Sequence, residues 1–327
     1  MRQRLHSILV TCAVLASAGL PVPAMAQGDY PSRPVKLVVP FPSGGGIDMT
    51  ARIAAEKLSE VLGQQVVVHN QGGAGGAIAT SGVVKSEPDG YTLLYHSTTG
   101  TVHSAITEKL DYDWLYDLAP VSIITRFAPV MVGSPTLPVK DVREFIALLK
   151  ANPGKYSFGS SGAGSAVHLA AELFVQKAGV SMVHVPYRGT VAVMPDLLSG
   201  RVAMMVDGVP PQSNNIKTGV VLGLAVTTST RSSAIPDVPT MKEVGLDFEV
   251  PFWTALYVPK NTPKPVVDKL SAAATRAMQD AAVVKRLADI GTESVGSVPD
   301  ELDRLNREQF KLYRDLVQNN KSLLGER

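Results

Sequence analysis

The sequence predicts an α/β protein, and three observations carry that prediction. Short β-branched runs alternate with helical patterns, glycine-rich loops follow several of those runs, and the length leaves room for two cores. The alternation is the mark of βαβ units around a mainly parallel sheet. About 300 residues remain once an N-terminal leader is set aside, a length that favours two domains over one.

Residues 1–26 read as a secretory signal peptide. Arg2 and Arg4 precede an apolar run from Ile8 to Leu20, and Ala24-Met25-Ala26 supplies a small-x-small cleavage triplet before Gln27. The run is short for a membrane span, and Pro21 to Pro23 break it. Thr11 is a poor residue before a lipidated cysteine, so Cys12 is not expected to anchor the chain. Cleavage near Ala26 would remove Cys12, the only cysteine, and with it any disulfide or thiolate chemistry. It would also remove Arg2 and Arg4, leaving 29 basic against 29 acidic residues. A neutral chain without a basic run is not expected to bind nucleic acid or an anionic membrane.

The first strand is Val35 to Val39, and the turn Pro40-Phe41-Pro42-Ser43-Gly44-Gly45-Gly46-Ile47-Asp48 leads into a helix to Leu62. Ile47, Ala51, Ala54, Leu58 and Leu62 recur at helical spacing. A strand that delivers glycines into a helix N-terminus gathers backbone N–H groups where the helix dipole is positive, which makes an anion cradle. No lysine or arginine lies inside the turn, so the backbone must supply the attraction. Asp48 would repel an anion and reads as a brace for the loop and a complement to the dipole.

Val66 to Val68, the loop Asn70 to Gly76, a small-residue helix through Lys85, a turn at Pro88-Asp89-Gly90 and the strand Tyr91 to Tyr95 follow. Loops after successive parallel strands share one sheet edge, where open α/β folds bind ligands. A second series starts near Pro129 with Val130-Met131-Val132, then a helix about Asp141 to Ala151 and a strand Tyr156 to Gly159. Ser160-Ser161-Gly162-Ala163-Gly164-Ser165 opens a helix Ala166 to Ala178 and repeats the form of the first cradle. Met182 to Val185, a helix ending at Leu198, Val202 to Val206 with Asp207, and Val221 to Val226 complete it. The last part holds Phe252 to Val258, a helix announced by Thr262-Pro263, and an amphipathic helix Pro299 to Gln318. Leu302, Leu305, Gln309, Leu312 and Leu316 lie close to one face of that helix.

Catalytic readings fare poorly. Gly159-Ser160-Ser161-Gly162-Ala163 resembles a nucleophile elbow, but Ala163 replaces the last glycine and no histidine follows His184. His69, His96, His103, His168 and His184 show no i, i+3 or i, i+4 pairing for a metal, and no cofactor motif is present. Gly73 begins a G-x-G-x-x-G pattern that fails at Ile78. Arg188 is a candidate for a distal ligand charge or a cleft-rim residue. Phe41, Tyr187, Phe252 and Trp253 are candidates for cleft walls or core.

Six ordered motifs then carry a resemblance. They are Pro42 to Asp48 with Arg52, Asn70 to Gly76, Pro88 to Leu94, Gly159 to Ser165 with His168, His184 to Gly189, and Ile235 to Thr240. The mature chain resembles the substrate-binding receptors of tripartite tricarboxylate transporters, the Bug or TctC-like family. Gln71-Gly72 and Ser43 depart from the family's usual residues. The resemblance implies a type II periplasmic-binding-protein fold, two α/β lobes with a ligand cleft between them. One lobe would comprise residues 27–127 plus 227–327 and the other residues 128–226. It further implies that a ligand carboxylate is held by Ser43, Gly44, Gly45, Gly46 and Ile47, by Ala74, Gly75 and Gly76, and by Ser97 and Thr98. The second lobe would contribute Ser160, Ser161, Gly164, Ser165, Thr190 and Asp207. The expected protein is a monomeric periplasmic receptor of a small organic carboxylate that needs no cofactor and delivers its ligand to membrane transporter subunits. A receptor presenting its ligand to a sensor kinase and a secreted hydrolase centred on Ser161 are the alternatives.

Overall fold

The computed structural model describes residues 30–319, so the signal-peptide segment lies outside the described residues. The chain builds β1 (Val35–Val39), α1 (Gly46–Leu62), β2 (Val66–Asn70), α2 (Ala77–Val84), β3 (Thr92–Ser97), α3 (Thr98–Ile106) and β4 (Leu118–Phe127). It continues through β5 (Pro129–Gly133), α4 (Val142–Ala151), β6 (Ser157–Ser160), α5 (Ala166–Ala178), β7 (Val183–Pro186), α6 (Met194–Leu198), β8 (Met204–Gly208), α7 (Val209–Lys217) and β9 (Leu222–Val226). The last elements are β10 (Phe252–Pro259), α8 (Lys264–Met278), α9 (Ala281–Ala288), β11 (Thr292–Ser294) and α10 (Pro299–Gln318).

These strands form two sheets, in the order β11-β4-β10-β3-β1-β2 and β7-β6-β8-β5-β9. β1 runs parallel to β2 and β3, and β6 runs parallel to β7 and β8. β10 is antiparallel to β3 and β4, and β5 is antiparallel to β8 and β9, so both sheets are mixed where the sequence predicted mainly parallel ones. The reason is the route of the chain. It leaves the first sheet at Phe127 and enters the second at Pro129, then returns between Val226 and Phe252, and each crossing strand arrives against the local direction.

Both faces of the first sheet are covered. Val35, Leu37 and Val39 pack with Ala51, Ala54 and Leu58 of α1 and with α8, whereas Val38 faces α2 and Trp114. A strand buried on both sides reads as a continuous apolar run, as β1 does. Between the layers, hydroxyls join across the strands: Tyr95 OH meets Thr50 Oγ1 at 2.9 Å and Thr254 Oγ1 at 2.7 Å, and Thr254 meets Thr125 at 2.6 Å. This chain satisfies polar groups that burial would otherwise strand.

Two assignments shift. Ala234, Ile235 and Val238 pack with Val130, Val132 and Val226, so the segment that follows β9 stays on the core of the second sheet, although its numbers fall in the 227–327 portion assigned to the first lobe. The backbone explains this, since Val226 and Thr227 form hydrogen bonds with Pro239, Met241 and Val250. In α10 the buried face is Leu302, Asn306, Gln309 and Tyr313, and Leu312 is 60% exposed. Asn306 Oδ1 accepts from Thr101 Oγ1 and Tyr257 OH, and Gln309 Oε1 accepts from Trp253 Nε1. Those bonds rotate the helix away from its leucine stripe.

Candidate functional site

The β1–α1 turn forms an unpaired helix start. Gly45 is the N-cap of α1 with no side-chain cap, and the amides of Gly45, Gly46 and Ile47 have no partner among the described residues. Gly44 differs. Its amide donates to Asp48 Oδ2 at 2.9 Å, and the same oxygen takes Arg52 Nε at 2.9 Å. Asn70 Nδ2 donates to Asp48 Oδ1 and to the Phe41 carbonyl, and Arg52 Nη2 closes the ring on Asn70 Oδ1. Burial draws the Asp48 carboxyl upward, but the hydrogen bonds from Arg52, Gly44 and Asn70 with the Arg52 charge hold it below its ordinary value. Asp48 therefore braces the loop as a carboxylate.

The loop opens on a cavity between the two sheets. Gly45, Gly46 and Ile47 line it from one side and Ser161, Thr190 and Asp207 from the other, with Phe41, Phe127, Val167, Val191 and Phe252 as apolar walls. No lysine or arginine contributes to this lining. The halves touch around the rim. A Cβ on Gly46 would lie 3.1 Å from Pro211 Cδ, and one on Gly189, whose φ is +117°, would lie 3.0 Å from Pro42 Cδ. Glycine at these positions lets the two backbones approach.

An adjoining cavity shares Phe41 and Ser161 with the first. Ala74, Gly75 and Gly76 line it, opposite Gly162 and Arg188. Gly75 and Gly76 have φ of +61° and +98°, and a Cβ on either would come within 2.7 Å of His103 or His96. Burial, then the neighbouring His103, brings His96 down to about 3, and burial also lowers His103, so both rings are neutral.

The predicted residues separate accordingly. Gly45, Gly46, Ile47, Ser97, Thr98, Ser161, Thr190 and Asp207 line the main cavity, and Ala74, Gly75 and Gly76 line its neighbour. Ser43 and Gly44 are exposed and lie off both linings. Ser160, Gly164 and Ser165 also lie off them, because their polar groups serve the loop itself. Ser160 Oγ meets His184 Nε2 at 2.7 Å, Gly164 N donates to His168 Nδ1, and Ser165 Oγ caps α5 by accepting from His168 N. Ser97 Oγ caps α3 and Thr98 Oγ1 accepts from Trp253 N, so both contribute to the lining with hydroxyls already engaged.

Sequence reasoning placed no weight on Val191, Phe127 or Thr99, which also line the main cavity. Only the crossing at Phe127 could have signalled one of them. Behind the site, Phe127 and Phe252 meet edge to face at 5.9 Å and line a further cavity that includes Arg126, Thr230, Arg231, Trp253 and Thr292. Trp253, a candidate cleft wall, thus sits on the far side of that pair.

Among the described residues, the one hydrogen bond between a serine hydroxyl and a histidine ring is internal. Ser160 is fully buried, and His184 stacks on His168 at 3.8 Å between ring centroids. Burial and then His168 lower His184 to about 4. Ser161, which does reach the cavity, has no histidine partner among the described residues. No group of three potential ligands for a metal ion occurs among them either.

Comparison with known proteins identifies the family. Residues 50–321 match the family described as tripartite tricarboxylate transporter family receptor. Protein BugT of Bordetella pertussis is 36% identical over 306 residues, covering 93% of this chain and 94% of its own. The structure of the periplasmic binding protein BugD superposes with a TM-score of 0.85 at 34% identity, covering 89% of this chain and 98% of BugD. The MatC protein of Rhodopseudomonas palustris with bound malate gives 0.84 at 32% identity, covering 88% of this chain and all of MatC. The chain shares its fold with BugD, a periplasmic binding protein, and with MatC, which holds malate. The chain belongs to the tripartite tricarboxylate transporter family receptors, the Bug and TctC-like solute-binding proteins.

Proposed function

We propose that this protein is a periplasmic receptor that captures a small organic carboxylate, closes over it and delivers it to the membrane subunits of a tripartite tricarboxylate-type transporter. The observation that carries the reading is the set of uncommitted amides at Gly45, Gly46 and Ile47, residues that line a cavity with no lysine or arginine in its lining. Amides at a helix start attract an anion without a counter-charge, and burial between two halves strengthens that attraction. The malate bound by MatC supports a carboxylate as the guest.

Closure follows from the same contacts. A ligand can favour the closed form only by binding it better than the open one, and here both halves line the cavity. The signal-peptide reading of residues 1–26 supports secretion, and the family supports delivery to a transporter.

Native mass spectrometry of protein purified without denaturation should show a retained small organic anion that is lost on unfolding and refolding. Uptake of that anion should fall in a strain lacking the receptor gene. Retention of no anion, together with no heat of binding to any two- to six-carbon carboxylate, would overturn the reading.

A further inference from the structure

The starts of α1 and α7, which both line the cavity, are opposite in character. On α1, three amides are free. On α7 the Gly208 amide donates to Asp207 Oδ1 and the Val209 amide donates to the Ala128 carbonyl, and Pro210 and Pro211 have no N–H to offer. The start of α7 therefore presents no backbone donor for a second carboxylate. It presents a carboxyl group instead, that of Asp207, which is 6% exposed and lines the cavity.

Every partner of Asp207 is a neutral donor. Gln212 Nε2 donates to Oδ2 at 2.9 Å, and the Gly208 amide donates to Oδ1. Gln212 is itself fixed, since its Oε1 accepts from Asn215 Nδ2. No cation balances Asp207 on the lining. The other acid there, Asp48, is already matched by Arg52, and Arg188 faces the adjoining cavity. A carboxylate has about four acceptor sites, so Asp207 keeps capacity for a donor from the cavity side. A second anion placed there would meet like charge at low dielectric, which is strongly unfavourable.

We propose that Asp207 selects carboxylates whose far end carries a hydrogen-bond donor, a hydroxyl or an ammonium group, over dianionic dicarboxylates. This inference rests on the carboxylate reading of the α1 amides. Apolar walls at Phe41, Val167 and Val191 fit a short hydrocarbon body between the two ends. Burial, against the hydrogen bonds from Gln212, Gly208 and Thr190, raises Asp207 to about 6, so the selection changes with pH. Below that point the acid is neutral and can donate to an oxyanion.

The test is calorimetric titration of the mature protein with butyrate, 4-hydroxybutyrate, 4-aminobutyrate and succinate, and with their five- and six-carbon homologues, at pH 7.5 and pH 5. At pH 7.5 the hydroxy or amino acid should bind about tenfold or more tighter than the dicarboxylate of equal length, the worth of one hydrogen bond to a charged group. At pH 5 the dicarboxylate should gain and the amino acid should lose affinity. Asp207→Asn should flatten both pH trends and erase the preference, with folding checked by circular dichroism. The wild-type pH trends need no variant, so they decide the question even if the variant misfolds. Dicarboxylates bound as tightly as donor-bearing acids at pH 7.5, with no opposed pH trend, overturn the Asp207 assignment and leave the carboxylate reading standing. Binding of none of these acids at either pH overturns both.

Discussion

Asp48 shows how one side chain holds a glycine-rich turn in shape. Its two oxygens gather Gly44, Arg52 and Asn70, so the glycines that follow are held open toward the cavity. Asp48→Ala would strip three hydrogen bonds and is expected to cost about 1–3 kcal/mol in urea unfolding, with ligand affinity falling alongside. Gly45→Val tests the same loop without removing a bond. The position has φ −80°, which any residue adopts, but its Cβ would lie 3.7 Å from Val191 Cγ2, so added methyls crowd the opposite half. Wild-type-like melting with at least tenfold weaker binding is expected; unchanged affinity would dismiss the loop as the cradle. The bracing role of Asp48 was legible in the sequence from its place in the first helical turn. The internal roles of Ser160 and Ser165 were not, because a serine at a helix start has the same sequence signature whether its hydroxyl faces a ligand or caps the helix. Buried histidines set a further expectation. His96 and His184 titrate at about 3 and about 4 when folded, against 6.5 ordinarily, so their stabilising effect is complete above pH 6.5 and is withdrawn as pH falls toward 4. Asp207, raised to about 6, runs the other way between 6 and 4. The melting temperature should fall across this window, and more steeply in Asp207→Asn, which should be the more stable protein at pH 7.5.

Helix α10 shows where periodicity stops being decisive. Its leucines suggested one face, but the first sheet offers Thr101, Tyr257 and Trp253, whose polar atoms need partners more than Leu312 needs burial. Leu302→Ala is accordingly expected to cost about 2–5 kcal/mol, whereas Leu312→Ala should change unfolding free energy by less than about 0.5 kcal/mol. Equal losses would restore the leucine face. β4 and α3 went unread in the sequence for a related reason. Ser122 and Thr125 give β4 a polar look, yet inside the protein Ser122 Oγ donates to the Ser297 carbonyl and Thr125 pairs with Thr254. Thr98 to Thr101 discourage a helix, but the start of α3 is capped by Ser97, and Gly100 leaves room for the Trp114 ring, which a Cβ would meet at 2.2 Å. By contrast, β1, α1 and α5 were legible because strand burial, glycine turns and helix caps all point the same way.

At the scale of the whole molecule, two sheets are joined by two crossings, and the wall between the cavity at the β1–α1 turn and the space behind it is the pair Phe127 and Phe252, one from each crossing. The division into two α/β units was readable from the length and the repeated cradle, while the mixed strand directions were not, since they depend on where the chain crosses. Any change of angle between the halves must pass through the backbone that carries these two rings. Trp253 follows Phe252 directly, fully packed, with its indole N–H bound to Gln309. The chain has one other tryptophan, Trp114, set against His96 and Tyr257 within the first half. The protein thus carries its own optical gauge: ligand addition should shift tryptophan emission, the shift should vanish in Trp253→Phe, and it should persist in Trp114→Phe.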